Sequence, residues 1–424
     1  MRSPHGVGKT ALAAQTVLWF ALTRDEEDWK IPTTASAWRQ LSKFLWPEIH
    51  KWARKLIWSK IGRSSFSSIT ELLTLNLRLQ TGESFAVASD VPELIEGAHA
   101  DKLLYVFDEA KVIPEKTWDA AEGAFSGAGK ETKVEAFALA ISTPGEPLGR
   151  FYDIQTRKPG YEDWWVRHVR KEEAIQQKRI SQEWVEQRKL QWGEKSSIYI
   201  NRVEGEFASA DEDGVIPLAW VEKAVFRYQE LLDSNQFVNI KYDNIGVDVA
   251  RMGADKTVMA LKIKGKFWIH ELRKTVKEDT MQTTGRVSAL LRKHKCQANI
   301  DVIGIGAGVY DRLKELKFKV FAFNAAEKSR AKDQSKEFEF VNKRAEGWWK
   351  LRELLDPSNN NDVALPDDDK LIGDLVSPKW TVQSGGKIKI ESKDDIKKRI
   401  ERSTDDGDAV VMAFYERRKP NVIV

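Results

Sequence analysis

Lys102-Leu103-Leu104-Tyr105-Val106-Phe107-Asp108-Glu109-Ala110 runs from an unbroken apolar stretch straight into two carboxylates. Strict alternation would mark a strand with one wet face. A continuous apolar run marks a strand buried on both faces, as in a parallel sheet covered by helices. Ala136 to Ile141 (A-F-A-L-A-I) reads as a second such strand, and it delivers Ser142-Thr143-Pro144. β-type segments alternate with longer helical patterns throughout, so the fold class is α/β. A carboxylate pair at a strand's C-terminal end suits two tasks: Asp108 in a Mg²⁺ shell, and Glu109 orienting and deprotonating a water. The plainer alternative is an acidic surface pair capping the next helix.

Upstream, Gly6-Val7-Gly8-Lys9-Thr10 precedes the helical run Ala11-Leu12-Ala13-Ala14. Consecutive backbone N–H groups at a helix start cradle phosphate oxygens; Lys9 would reach the β/γ-phosphates and Thr10 would hold Mg²⁺. The full loop pattern wants glycine where this chain has Ser3, so the motif alone also fits a glycine-rich turn. The apolar strand ending in Asp108-Glu109 tips the balance. At the third strand end, a hydroxyl of Ser142 or Thr143 is placed to contact the γ-phosphate, although Ser-Thr-Pro is usually a turn. Together the three strand ends describe an ATPase.

The chain has 424 residues, enough for two domains or three. Apolar residues at 42% and charged residues at 31% fit a globular chain and exclude a mainly disordered one. No apolar run has the length of a bilayer-spanning helix, and the start has no secretory apolar region. The single cysteine, Cys296, excludes an internal disulfide framework and a cysteine-based zinc site, making a reducing compartment the default. A net charge of +4 permits a nucleic-acid partner without demanding one. The sixteen tryptophans fall mostly at or before Trp220 and read chiefly as core.

The pattern breaks at Ala208 to Gly214 (A-S-A-D-E-D-G), and little up to Gln236 suggests a buried sheet. An interdomain linker over 209–238 follows, between a domain at 1–208 and another at 239–424. The second domain opens with Ile245 to Val249, Thr257 to Ile263 and Lys266 to His270, which read as an antiparallel meander. Asp248 lies inside the first of these strands. Asp301 follows Asn299-Ile300, and Asp405, Asp406 and Asp408 precede the apolar helix V-V-M-A-F. A carboxylate within an apolar strand is costly unless paired or metal-bound. Acids from these distant points suit two divalent ions about 3.5–4 Å apart, which clamp the attacking and leaving oxygens of a phosphodiester. Ordinary turn bonds at Asp248 and Asp301, with an N-cap at Asp405–Asp408, are the equal alternative. Nearby Lys387, Lys389, Lys393, Lys397, Lys398, Arg399 and Arg402 are interleaved with acids, which fits a solvated helix face or a phosphate-tracking strip.

These residues resemble the large subunit of a viral (tailed-phage) DNA-packaging terminase, over nearly the whole chain. Ser3 to Thr10 is similar to that family's Walker A loop, and Thr33-Thr34-Ala35 with Trp46-Pro47-Glu48-Ile49 resembles its next strand and helix. Glu93 to Ala100, leading into Asp108-Glu109-Ala110, resembles the approach to Walker B. Ser142-Thr143-Pro144 with Gly149-Arg150-Phe151-Tyr152 resembles the coupling motif, and Asn201 to Phe207 the close of the ATPase domain. Asp248, Asp301 to Gly306 and Asp405 to Ala409 resemble the acidic motifs of its RNase H/RuvC-like nuclease domain; Asn342 to Glu346 resembles a further segment. Each match is weak alone, and their collinear order is the signal.

The resemblance implies a P-loop packaging ATPase over 1–208 and an RNase H-like endonuclease over 239–424, which translocate and cut concatemeric double-stranded DNA. It implies ATP, and Mg²⁺ or Mn²⁺ at both sites. Arg2, Ser3, His5, Gly6, Val7, Gly8, Lys9, Thr10, Asp108, Ser142 and Thr143 would hold the nucleotide, and Arg2 would be an added γ-phosphate contact. Glu109, Asp248, Asp301 and Asp408 would be catalytic, with Asp405 competing for the third nuclease-ligand place. The implied partners are double-stranded DNA, the small terminase subunit and the procapsid portal, in the host cytoplasm and away from membranes. A ring oligomer is expected only when docked on the portal. Family members usually carry an adenine-contacting segment and a strand ahead of the loop, whereas this chain starts just before it, so weak or absent ATP hydrolysis is expected. Two rivals remain: a truncated, non-translocating remnant that keeps only nuclease or DNA-binding activity, and a helicase or recombination ATPase.

Overall fold

The computed structural model describes residues 1–89, 95, 97–129, 132–209, 213–250, 256–276, 278–383 and 386–416. Glu93, Leu94 and Glu96 of the Walker B approach, Ala210 to Glu212 of the expected linker, and Arg251 lie outside them. The chain divides into two compact units, Met1–Glu186 with Tyr199–Ser209, and Gln187–Ile198 with Ala210–Val424. Among the described residues, no helix is long and apolar enough to cross a membrane.

The first unit is built on a sheet of order β2-β3-β4-β1-β5-β6. Its strands are β1 (Trp29–Ala35), β2 (Leu72–Leu73), β3 (Asn76–Arg78), β4 (Gly82–Ala88), β5 (Lys102–Asp108) and β6 (Glu135–Ile141). β4, β1, β5 and β6 are parallel. β5 is buried at every position after Lys102, as its unbroken apolar run requires. The register sets Ala35 beside Asp108 and Asp108 beside Ile141, so the loops after β1, β5 and β6 leave from one edge. Beyond β6, Arg2 bridges in parallel to Ser142 on one side and His168 on the other. Arg2 N–H donates to Arg167 O at 2.9 Å and Val169 N–H to Arg2 O at 3.0 Å. The residues just ahead of the glycine loop therefore supply ladder hydrogen bonds on both flanks. The loop then turns into α1 (Lys9–Thr23), whose Ala13, Ala14, Val17 and Leu18 pack into the core with Ile31 and Val106. A π-helical turn, Gln40–Leu45, leads into α2 (Trp46–Ala53), and α3 (Trp58–Ile61) follows.

The second unit has a sheet of order β11-β10-β7-β8-β9-β13. β7 (Tyr242–Asp248), β8 (Thr257–Ile263) and β9 (Phe267–Thr275) form the expected antiparallel meander. β10 (Gln297–Asp301) and β11 (Val320–Phe323) run parallel to β7, and β13 (Val363–Ala364) pairs with β9. An antiparallel meander flanked by parallel strands on its first-strand side is the RNase H-like arrangement. A small sheet, β12 (Glu339–Phe340), β15 (Lys387–Ile390) and β14 (Trp380–Val382), lies in the same unit.

The stretch read as a linker differs in the structure. It carries α5 (Leu218–Asp233), whose Leu218, Val221, Ala224 and Leu231 are buried within the second unit. Their helical spacing, not a strand signal, is what buries them. The last part of α4 (Gln182–Trp192) also belongs there: Trp192 Nε1 donates to Asp369 O at 2.9 Å and Arg188 pairs with Asp369 at 2.7 Å.

The two faces of β7 do different things. Ile245 and Val247 join a core with Val287 and Leu291 of α6 (Thr280–His294) and Val309 of α7 (Gly306–Glu315). Asn244, Gly246 and Asp248 face α11 (Asp405–Phe414). A Cβ on Gly246 would stand 1.9 Å from Ala409 O and 2.4 Å from Ala413 N, so helix and strand touch through bare backbone. At the far end of α11, Asn244 Nδ2 donates to Ala413 O at 2.7 Å, and Asn299 Nδ2 donates to Met412 O at 2.8 Å and Tyr415 O at 2.9 Å. These carbonyls lie at the helix's C-terminal end, and two buried amides donate to them. Glycine sets the helix's distance from the sheet and the asparagines anchor its end, so its first turn arrives beside Asp248.

Candidate functional sites in the two units

In the first unit, Gly6 and Gly8 are left-handed at φ 78° and 95°, which bends the loop backbone into the start of α1. His5, Gly6 and Gly8 are exposed and Val7 and Thr10 half-buried, with Thr10 second in the helix. The Lys9 ammonium is buried and donates to Pro4 O at 2.9 Å, Thr143 Oγ1 at 3.0 Å and Ser3 Oγ at 3.3 Å. Burial lowers its pKa, against the pull of Glu109 and Asp108. Asp108 is 1% exposed, and burial, then the neighbouring Glu109, pushes its carboxyl up to about 7. It accepts from Gln40 Nε2 at 3.2 Å and from the Glu109 N–H at 3.1 Å. Glu109 takes a left-handed φ of 50°, uncommon outside glycine, and its Oε2 accepts from Ser142 Oγ at 3.2 Å. The structure thus joins Ser3, Lys9 and Thr143 in one cluster, and Asp108, Glu109 and Ser142 in the adjoining one.

Arg2 is placed otherwise than expected. Its guanidinium pairs with Glu206 at 3.2 Å, bonds Gln155 at 3.4 Å and lies 5.5 Å from the Phe207 ring centre. As a residue in extended backbone between two strands, Arg2 sends its side chain to these partners and not to the loop that follows. Gln40 carries no signal in the sequence: it stands between two stretches of the resemblance, with no motif of its own.

In the second unit, the distant aspartates meet around a lysine. Lys393, first residue of α10 (Lys393–Ile400), reaches Asp248 Oδ2 at 2.7 Å, Asp405 Oδ1 at 3.0 Å and Asp408 Oδ2 at 3.5 Å. Asp301 comes alongside because Ile300 pairs with Val247, which sets Asp301 at the same sheet end as Asp248. Its Oδ1 accepts the Ile303 N–H at 2.9 Å, and burial raises its pKa. Burial pushes the Asp248 carboxyl up to about 7, with Lys393 pulling it down and Asp405 and Asp408 pushing it further up. At Asp408 burial also acts upward, but the Arg344 guanidinium, Lys393, Trp348 and Thr404 outweigh it and hold the carboxyl below its ordinary range. Arg344 bonds Asp408 Oδ1 at 2.5 Å and Trp348 Nε1 does so at 3.0 Å, both from α8 (Lys343–Leu355).

The aspartates at the start of α11 are not its cap. Asp374, from α9 (Asp369–Val376), accepts the N–H groups of Asp406 at 2.9 Å and Gly407 at 3.3 Å and is itself paired with Arg402. That frees Asp405 and Asp408 to face Lys393. The basic run is not a free strip either. Arg399 pairs with Glu391, Lys387 with Glu339, Arg402 with Asp374 and Lys393 with the site acids.

As the side chains stand, no group of three or more His, Cys, Asp or Glu among the described residues is arranged to hold a metal. The Lys393 ammonium lies among the carboxylates of Asp248, Asp405 and Asp408 and supplies the positive charge there. The donors are all oxygens, which suits hard divalent ions such as Mg²⁺ and Mn²⁺. In the first unit the left-handed glycines, Lys9, Thr10 and Asp108 suit a nucleotide's phosphates and its Mg²⁺.

No protein-family model matches the chain. A curated relative named "Probable terminase, large subunit", from Enterobacteria phage P7, is 28% identical over 174 residues, covering 39% of this chain. The matched part spans only 32% of that relative's length. Among solved structures, the large terminase of a thermophilic bacteriophage, in complex with ADP, is similar, at 14% identity and a TM-score of 0.42 over 97% of this chain and 92% of that one. So is the nuclease domain of the large terminase subunit of bacterial virus Sf6, at 18% identity and a TM-score of 0.40 over 48% of this chain and 99% of that one. A partial sequence match to a terminase large subunit thus stands beside the resemblance of the motifs.

Proposed function

We propose that this chain is an ATP-driven motor and metal-dependent endonuclease, a terminase large subunit that translocates and cuts concatemeric double-stranded viral DNA during packaging into a procapsid. The observation that carries the reading is the meeting of Asp248, Asp405 and Asp408 on one cation, Lys393, at the sheet end that also bears Asp301. The proposed setting is the host cytoplasm, with the small terminase subunit and the portal as partners and a ring formed on docking.

In the first unit, the loop backbone with Lys9 would hold the β/γ-phosphates, and Thr10 and Asp108 would hold Mg²⁺. Glu109 would take the proton of the attacking water. Its hydrogen bond from Ser142, beside Thr143 on Lys9, gives the third strand end a direct link to the hydrolytic carboxylate. In the second unit, Asp248 and Asp301 would hold divalent ions together with Asp408 or Asp405. Two such ions, when bound, stabilise the charge that develops on the attacking and leaving oxygens. Lys393 must yield its place, and its long side chain leaves an ammonium free to meet the DNA phosphates. Arg344 and Trp348 would fix the orientation of Asp408. Because phosphates and ions carry no base information, the cut would have little sequence preference.

The test is plasmid cleavage in Mg²⁺ or Mn²⁺, with and without chelator, over a pH series. Cleavage is expected only with the divalent ion. Asp248 in the ion-free protein holds its proton up to about 7, so an incoming ion must displace a proton at lower pH. Cleavage at sub-saturating metal should therefore rise about tenfold per pH unit below about 7 and level off above it. Cleavage that survives chelator overturns the nuclease reading, and a flat pH profile at limiting metal removes Asp248 from it.

A further inference from the structure

The first unit has a face that its nucleotide site does not account for. From the π-helical turn through α2 and α3, cations outnumber acids heavily, and Glu48 is the one acid between Trp38 and Arg63. Glu48 is occupied by Lys51 at 2.9 Å and Trp52 Nε1 at 2.9 Å. Lys43, Arg54, Lys55 and Lys60 are exposed, and none has a carboxylate within ion-pairing distance among the described residues. Aromatic residues stand among them, with Trp38 49% and Phe44 46% exposed. A helix face that is only solvated mixes charges of both signs. Unpaired cations interleaved with exposed aromatic rings have the composition of a surface that follows a nucleic-acid backbone.

The same turn is tied to the nucleotide site. Gln40 opens the π-helical stretch and donates to Asp108 Oδ2 at 3.2 Å, while Lys43 and Phe44 of that stretch face solvent. π-turns are rare and occur frequently at functional sites. A shift of this turn toward a bound polyanion would move the Gln40 amide on Asp108. A change at Asp108 would in turn move the cations.

We propose that this face contacts the phosphate backbone of duplex DNA and that Gln40 couples its occupancy to Asp108. The coupling half rests on the ATPase reading above; the contact half does not. Coupling of this kind is reciprocal: DNA changes nucleotide affinity by the factor by which nucleotide changes DNA affinity. Gln40 is a positioning residue, acting through Asp108.

The experiment uses the full chain and a labelled duplex in chelator, which keeps cleavage off. Binding is measured across a salt series, alone and, with Mg²⁺ present, in the nuclease-silenced Asp248→Asn background with a non-hydrolysable ATP analogue. The combined variant Lys43→Ala, Arg54→Ala, Lys60→Ala should lower the slope of log affinity against log salt by about 0.9 per lost contact, at unchanged melting temperature, since all three side chains are exposed. An unchanged slope overturns the surface. Gln40→Ala should keep the wild-type slope but lose the analogue's effect on DNA affinity, and Gln40→Asn should restore part of it. An analogue effect that persists in Gln40→Ala overturns the coupling. If the wild-type chain binds no ATP analogue, the ATPase reading fails and takes the coupling with it, while the salt slopes still decide the surface.

Discussion

Asp248→Asn is expected to lower metal-dependent plasmid cleavage by about 10³-fold, since a lost metal ligand forfeits several kcal/mol of charge stabilisation at the transition state. The fold should hardly notice. Asparagine has the volume of aspartate, and Lys393 keeps Asp405 and Asp408 as partners. The Asp248 carboxyl, pushed up to about 7 chiefly by burial, is in any case largely protonated in the ion-free protein about one pH unit below that value. The sign of the stability effect follows. Between the ordinary carboxylate range and about 7, the folded protein holds a proton that the unfolded chain has lost, so wild-type stability falls as pH rises through that window. The asparagine variant lacks this slope and should gain on the wild type between pH 4 and 7 in thermal melts. Duplex binding in chelator should be unaffected. Cleavage retained in this variant would remove Asp248 from the chemistry.

Gly246→Ala is expected to damage the second unit strongly. The new Cβ would lie 1.9 Å from Ala409 O and 2.4 Å from Ala413 N, and both are backbone atoms that cannot rotate away. Either α11 lifts off β7 or the strand bends, at about 1–3 kcal/mol or more. Lifting α11 also carries Asp405 and Asp408 away from Asp248. A displacement near 1 Å at a reacting centre costs about 100-fold in rate, so cleavage should fall by about that factor even where the variant stays folded. Gly285→Ala is the control: it lies within helix α6 with nothing within 4 Å of its added Cβ, and should stabilise by about 0.5–1 kcal/mol. Equal melting temperatures and rates for Gly246→Ala and wild type would refute the close-contact role of this glycine.

The acids were legible because their local cost is written in the sequence. Asp108, Asp248 and Asp301 each end or interrupt an apolar strand, where a lone carboxylate is expensive. The meander was legible for the same reason, through three β-type runs joined by short turns. Lys393 was not, because a lysine in a run of mixed charges looks solvated until the fold brings α10 against β7. Lys387 and Arg402 pair with carboxylates far along the chain, Glu339 and Asp374, while Arg399 takes Glu391 from the run itself. Asp374 capping α11, and Asn244 and Asn299 anchoring its end, are long-range partners of a kind that no period reveals. The stretch at 209–238 has no sheet signal and so reads as a linker, although α5 buries its apolar residues at helical spacing. The family resemblance implies Arg2 as a γ-phosphate contact just ahead of the loop, while its extended backbone sends the side chain to Glu206.

The most direct test is anomalous diffraction from crystals of the full chain grown with Mn²⁺. The account predicts density at the carboxyl end of β7, within coordination distance of Asp248 and of at least one of Asp301, Asp405 and Asp408, with the Lys393 ammonium displaced. Saturating Mn²⁺ that leaves Lys393 bridging Asp248, Asp405 and Asp408, with no anomalous peak between them, would contradict it.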